Sequence, residues 1–590
     1  MNEKKNVPIN YYSRDFQTIK QSLVEHVKRY YPEVYKDFNE ASFGSMMLDT
    51  VSYVGDVLSF YLDYQANESF LDTATELGNV IKLSKQLGYK YDNVATSYGL
   101  ASFFITVPAT SNGLAPDTRY IPVLKRGSEF TSENGVSFIL QDDVRFDQDD
   151  NEVVVAANDP TTNLPTYWAI KSYGVVISGK YETVDIEVGA FQRFLKLKVP
   201  LNNVSEIVQV VDEEGSEYYE VENLSQDVVY VPISNRTETA RYAKSFLRPY
   251  SVPRRFTVEK DGFATYLQFG YGTDSGNSNR EKVLDPAEVV LKKHAKNYSS
   301  DLSFDPSRLI ESDKLGIVPT NTTLQVTARI NETNEINVGV DKLTVVNNSI
   351  FEFDEPKNLD NSLINFVKNS LELTNEEKIV GHVKQDSVDE VRLRAMNSLS
   401  AQNRAVTLQD YKTLVYNMPN TYGSVKRVNI LRDQNSFKRN LNLYVISQDE
   451  NEKLATTNEI IKENIKIWLN NNRMINDTID ILDAKILNLG INYTIVVDVR
   501  YNTQEVLSRC SDKLKEFYSY TREIGEPFFM SDVSRVLKEV KGVLDIVNVE
   551  VINKVGGLYS DLSYDLEKNR SADGRYIEVP SNVVYEIKFF

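Results

Sequence analysis

The sequence predicts a multidomain α+β protein with three textures in succession. An N-terminal helical bundle segment comes first, a β-rich middle domain follows, and a C-terminal α+β region of ferredoxin-like type comes last. Three observations predict this. Apolar residues recur at three- and four-residue steps through the first ninety positions. From Ala101 to about Arg329, turn signals arrive roughly every ten residues between short β-rich runs. In the last third, helical and strand-like patterns alternate. At 590 residues the chain exceeds one ordinary core, so several domains are expected. The divisions read as 1–92 (helical), 93–330 (β-rich), 331–384 (connecting), 385–556 (α+β) and 557–590 (a tail with a terminal strand).

The first helix is predicted to start at Ser13, a good N-cap. It carries Phe16, Ile19, Leu23, Val27 and Tyr30, and Pro32 ends it. The second is predicted from near Ser45. Met47, Val51, Val54, Leu58 and Tyr61 step 4, 3, 4, 3, with Leu48, Gly55 and Leu62 beside them at sevenfold spacing. That seam is wide enough for a bundle. Gly55 inside it would admit another backbone, at about 1 kcal/mol of helix propensity. The third helix is predicted to open on a capping box, Thr73-Ala-Thr-Glu76. It carries Leu77, Val80, Ile81 and Leu87 and stops at Gly88. By pattern alone, these helices suit an autonomous three-helix domain and packing against another chain equally well. The interface candidates are Met47, Val51, Val54, Gly55, Leu58, Tyr61, Leu62, Leu77, Ile81 and Leu87.

The middle region offers strands at 103–107, 137–140, 183–188 and 266–269, in a sandwich-like or irregular arrangement. Residues 331–384 are Asn-rich and polar, with some helix near 362–373. Beyond them we read helices at 386–401 and 408–417, strands at 424–431 and 440–446, and a helix at 457–469. Strands at 478–487 and 491–500 lead to helices at 503–520 and 531–539 and a strand at 543–551. The alternation from Val583 to Phe590 reads as a half-buried strand, for its own sheet or a neighbour's edge.

Composition narrows the chemistry. Lys and Arg number 66 against 84 Asp and Glu, a net charge of −18, which argues against a nucleic-acid-coating surface. No stretch approaches the roughly 18 apolar residues of a membrane span. The polar start, Met1 to Pro8, lacks an apolar signal core, so the expectation is a protein that stays in the cytoplasm or joins something assembled there. His26, His294 and His382 are the only histidines, and with Cys510 alone neither a zinc site nor a disulfide framework is expected. Cys510 reads as a small core residue beside Leu507, Leu514 and Phe517. Gly270-Tyr-Gly272 begins like a dinucleotide fingerprint but lacks the third glycine and a following helix, so a tight turn is expected. Asp147-Gln-Asp149 opens like a calcium loop, but Glu152 and Asn158 stand at its key positions, which leaves a solvated acidic turn. No Gly-x-Ser-x-Gly elbow occurs. No catalytic residue, cofactor or metal is assigned.

The N-terminal segment also resembles a known family. Asp37-Phe-Asn-Glu40, Tyr53-Val-Gly-Asp56, Phe60-Tyr-Leu-Asp63, Gln65-Ala-Asn-Glu68 and Leu87-Gly-Tyr89 are similar to the baseplate wedge subunit of T-even-type contractile-tailed phages, within the broader baseplate J-like family. Weaker likenesses lie at Ile121-Pro122 with Arg126-Gly-Ser-Glu-Phe130, Phe269-Gly-Tyr-Gly272, Gly316 to Leu324 and Arg392 to Pro419. Ser128 and Tyr271 depart from the family's threonine and aspartate. The resemblance implies a non-enzymatic virion protein of the tail baseplate, assembled in the host cytoplasm. It implies a core bundle formed by the N-terminal helices with another wedge protein and a small sheath-initiating subunit. It also implies a homodimer with two copies per wedge, and C-terminal contacts that close a ring around the hub and pass on the change that triggers sheath contraction. The alternatives are a phage-associated polysaccharide-degrading enzyme, which needs a carboxylate pair in a cleft, and an adhesin carried on the β-rich domain.

Overall fold

A computed structural model of the chain describes residues 15–31, 33, 39, 42–91, 94–110, 112–160, 164–234, 245–261, 264–272, 315–333, 335–383, 387–433, 440–557 and 559–588. The α-helices are α1 (Phe16–Tyr30), α2 (Phe43–Glu68), α3 (Leu77–Gln86), α4 (Asn361–Asn369), α5 (Val388–Ala401), α6 (Leu408–Tyr416), α7 (Glu459–Asn472), α8 (Thr503–Phe517) and α9 (Met530–Glu539). The chain forms two compact units. One comprises Met1–Tyr91 with Asp386–Ser400, and the other Asp92–Gln385 with Ala401–Phe590.

The smaller unit is helical, as the apolar periodicity predicts. The proposed cap Ser13 lies outside the described residues, as does Pro32. Asp15 caps α1 instead, accepting from Thr18 N at 3.2 Å. α2 begins two residues earlier than expected because Ser42 caps it, accepting from Ser45 N at 3.1 Å. The capping box at Thr73–Glu76 does not form. The residue at the N-cap of α3 is Glu76, and its side chain makes no cap bond. Ala74, Val80, Tyr89, Val391 and Ala395 form a small core shared by α3 and α5.

The larger unit is built on two seven-stranded sheets. The first runs Leu343–Asn348, Glu129–Ser132, Ser137–Leu140, Pro165–Ser178, Tyr98–Pro108, Glu372–Thr374, with Glu152–Asn158 also paired to Pro165–Ser178. Its axis is the long antiparallel pair from Tyr98↔Ile177 to Pro108↔Tyr167. Phe103, Phe130, Phe138 and Phe146 fill one side with Val367 of α4. Residues 331–384, expected as a connecting segment, supply two strands of this sheet and α4. Their polar, Asn-rich composition hides the pairing, because Asn337 and Asn375 are buried and hydrogen-bonded instead of solvated. The second sheet runs Lys180–Val188, Thr322–Ile330, Val204–Asp212, Glu217–Glu220, Arg255–Asp261, Ala264–Phe269, Lys196–Val199. Arg329, 2% exposed, ties the two sheets by donating to Ser178 O at 2.6 Å while pairing with Glu206.

The C-terminal part is α+β, as expected, with two main small sheets and a two-stranded pair of Phe528–Phe529 with Tyr576–Ile577. In one, Asn440–Gln448 and Thr478–Asp483 run parallel with α7 between them in sequence. Ile461, Ile465 and Leu469 of α7 pack with Tyr411 and Leu414 of α6. In the other, Lys485–Val497 pairs antiparallel with Val543–Asn553 and parallel with Val583–Ile587. The terminal strand therefore completes its own sheet, while positions 589 and 590 lie outside the described residues. One apolar stripe each from α8 (Val506, Cys510, Leu514) and α9 (Val533, Val536, Leu537) belongs to the same core. Among the described residues no helix is long and apolar enough to cross a membrane.

Candidate protein interface on the N-terminal helices

The residues that α2 buries are small. Ser45, Ser52 and Ser59, seven apart, are its only buried positions. Leu48 and Gly55 lie between them and are half-buried. At about 100° per residue these five fall on one face. A Cβ placed on Gly55 would stand 3.3 Å from Ile19 Cδ1, so the close neighbour at Gly55 is α1 of the same chain. Lys20 of α1 reaches Asp49 of α2 at 2.6 Å on the flank of this contact. Ser52 Oγ donates to Leu48 O at 2.7 Å, which satisfies a hydroxyl that would otherwise be buried unpaired.

The large apolar side chains of α2 point the other way. Met47, Val51, Val54, Leu58, Tyr61 and Leu62 are all about half exposed or more, with Tyr61 at 61% and Leu62 at 60%. The structure thus places these predicted interface residues along one open side of α2, with Leu62 at its edge one seven-residue repeat beyond Gly55, while Gly55 itself meets α1. The sequence reading missed a second open stripe, made by Met46, Tyr53, Phe60 and Tyr64. The signal for it was available: Ser45, Ser52 and Ser59 repeat every seven residues, which marks the close-packed face and leaves both apolar stripes outside it. A helix apolar nearly all round belongs in the middle of a bundle.

Leu77, Ile81 and Leu87 of the α3 region are half-buried. Leu77 leans on the α3–α5 core. The corner between α2 and α3 is held by Glu68. Its carboxylate accepts from Thr75 N at 2.8 Å and from Asn79 Nδ2 at 2.9 Å, and it also accepts from Glu76 N. It replaces the expected capping box: an anion from the preceding helix sits at the positive end of α3. The bonds from Asn79 and Thr75 draw the Glu68 carboxyl down to about 2. Arg392 of α5 donates to Leu71 O at 2.7 Å and Ala74 O at 2.6 Å, pinning the turn before α3.

Among the described residues no group of three His, Cys, Asp or Glu could hold a metal ion. Cys510 is buried in the α8 core, and burial pushes its thiol up. The second glycine of Gly270-Tyr-Gly272 forms a backbone bridge, with Gly272 N donating to Gly316 O at 2.9 Å. A Cβ on Gly270 would fall 2.1 Å from Leu315 O. These glycines permit a close backbone approach. The surface on α2 offers apolar contact area and carboxylates, which suits helix docking.

Comparison with known proteins bears on the same segment. Residues 15–86 match the model of the bacteriophage baseplate protein N-terminal domain. No curated protein gives a significant match. Among solved structures, the chain is similar to a chain of the anti-feeding prophage baseplate at 7% identity and TM-score 0.28, covering 100% of this chain and 95% of that one. It is also similar to a chain of the type VI secretion TssK-TssF-TssG baseplate subcomplex at 8% identity and TM-score 0.24, covering 75% and 96%. At these TM-scores neither likeness defines the fold of this chain.

Proposed function

We propose that this protein is a structural, non-enzymatic subunit of a contractile-tail or injection-system baseplate, and that α2 is its main helical docking element. One observation carries the reading. The segment that matches a baseplate N-terminal domain, 15–86, is the segment whose central helix leaves its large apolar side chains open. Exposed stripes of this size mark interaction sites.

The finer reading follows the resemblance noted above. The chain would be a wedge subunit of T-even, J-like type in the virion baseplate, present as a homodimer with two copies per wedge. Met47, Val51, Val54, Leu58, Tyr61 and Leu62 would meet helices of other wedge proteins and of a small sheath-initiating subunit. Leu77, Ile81 and Leu87 would extend that contact, and Gly55 would hold α1 close. The C-terminal α+β region would close the ring around the hub and pass on the movement that triggers sheath contraction.

The test is co-expression of the full chain with neighbouring tail genes, followed by size-exclusion chromatography and cryo-EM of the assembled tail tip. The expected result is a stable complex engaging residues 15–86, lost on Leu58→Asp. A chain that stays monomeric and joins no tail protein would sink the reading.

A further inference from the structure

The proposed docking role leaves open what kind of helix α2 receives, and its charges address that. α2 contains Asp49, Asp56, Asp63 and Glu68 and no lysine or arginine. The three aspartates are seven apart. At 100° per residue they form a line between the serine face that α1 covers and the aromatic stripe Met46, Tyr53, Phe60 and Tyr64. On the covered side the chain itself shows what this line accepts: Lys20 of α1 pairs with Asp49 at 2.6 Å. Asp56 and Asp63 are half-buried. Among the described residues no ion pair reaches either of them.

We propose, resting on the docking role above, that the aromatic stripe of α2 receives a basic amphipathic helix from a partner protein. That helix presents an apolar seam to Tyr53 and Phe60 and lysine or arginine at seven-residue spacing to Asp56 and Asp63. It repeats on the open flank what α1 does with Lys20 on the closed one. A second α2 is a poor occupant, because it brings only carboxylates and like charges repel across a helix pair. The opposite stripe, Met47 to Leu62, lies away from the aspartates and carries no such charge preference.

The test uses the full chain and two synthetic helical peptides. Both have the same leucine and isoleucine seam, one flanked by lysine and the other by glutamate at every seventh position. Fluorescence anisotropy at low and at physiological salt reads the affinities. The expected result is tighter binding of the lysine peptide by about tenfold or more, weakening with salt. Asp56→Asn with Asp63→Asn should bring the two peptides within about twofold of each other. Helical circular dichroism of each variant confirms that it is folded. Overturning results are no binding, equal binding, a preference that survives the double variant, or self-association of the chain that Phe60→Glu abolishes. Entry into tail complexes is measured separately, so a chain that assembles without favouring the lysine peptide defeats this inference alone.

Discussion

α2 and α8 both carry apolar side chains on helical spacing, and they use them in opposite ways. α8 gathers Val506, Cys510 and Leu514 on one stripe, buries all three against its own sheet, and keeps the other faces charged. α2 buries serines and leaves Met47, Val51, Leu58, Phe60 and Tyr61 open. The difference teaches that apolar periodicity reports a need for a partner without saying whose chain supplies it. In α8 the partner lies in the same polypeptide. In α2, α1 takes the narrow, small-residue side, and the broad sides stay open.

The largest contrast is expected from a charge placed in each helix. Leu514 is 1% exposed, so Leu514→Asp should cost about 3–5 kcal/mol and abolish cooperative melting of the C-terminal core. Leu58→Asp, at a position 57% exposed, should move the stability of the isolated chain by about 0.5 kcal/mol or less and yet abolish complex formation. Equal destabilisation by the two, read by denaturant titration, would break the comparison.

Removing 583–590 comes next in size. Val583, Val584, Tyr585 and Ile587 are buried in the parallel pairing with Lys485–Val497. Their loss should expose Leu487 and Leu489 and speed hydrogen exchange across that sheet, leaving α1 to α3 unchanged. Normal exchange in the truncated chain would show that the strand is dispensable.

pH should separate the two units. Burial lowers His382 in the larger unit from 6.5 to about 4. The unfolded chain therefore takes up the proton first. The stabilisation is complete above about pH 6.5 and is lost as pH falls through about 4. Glu68 in the helical unit is lowered from 4.5 to about 2, so its contribution is complete above about pH 4.5 and fades toward pH 2. Hydrogen exchange at pH 7, 5 and 3.5 should show the surroundings of His382 loosening before the α2–α3 corner, and the reverse order would contradict these assignments.

The smallest effect is at Gly55. Alanine gains about 1 kcal/mol of helix propensity, and Ile19 must give by a few tenths of an ångström to admit it. The net change should stay within about 1 kcal/mol, and pairing Gly55→Ala with Ile19→Val should recover the gain. A much larger loss in thermal melting would mean that α1 and α2 are locked more tightly than their contact suggests.

Much of the fold was legible in the sequence because most elements obey one period at a time. α6, α8 and α9 lie within a few residues of their expected spans. The misses share a cause. The Thr73–Glu76 box looked locally complete, but Glu68 of the preceding helix takes the Glu76 amide and Thr73 N donates to Phe70 O instead. Residues 331–384 looked like a connector because asparagines that satisfy buried backbone read as solvent-facing. On α2 the pattern predicted an apolar seam, and the structure leaves its large side chains open. The pattern could not tell that Gly55 belongs to the α1 side, since the seam and the close-packed face share the same seven-residue repeat.

By itself the sequence determined which segments are helix and strand, the absence of a metal-ligand or nucleophile motif, and an N-terminal helix too apolar to stand alone. Those properties follow from side-chain chemistry and local periodicity. Only the tertiary structure decided which face of α2 is closed, that the terminal strand completes its own sheet, and that Glu68 holds the corner before α3. Each of these depends on which residues distant in the chain come within contact distance, and a one-dimensional pattern carries no such distance.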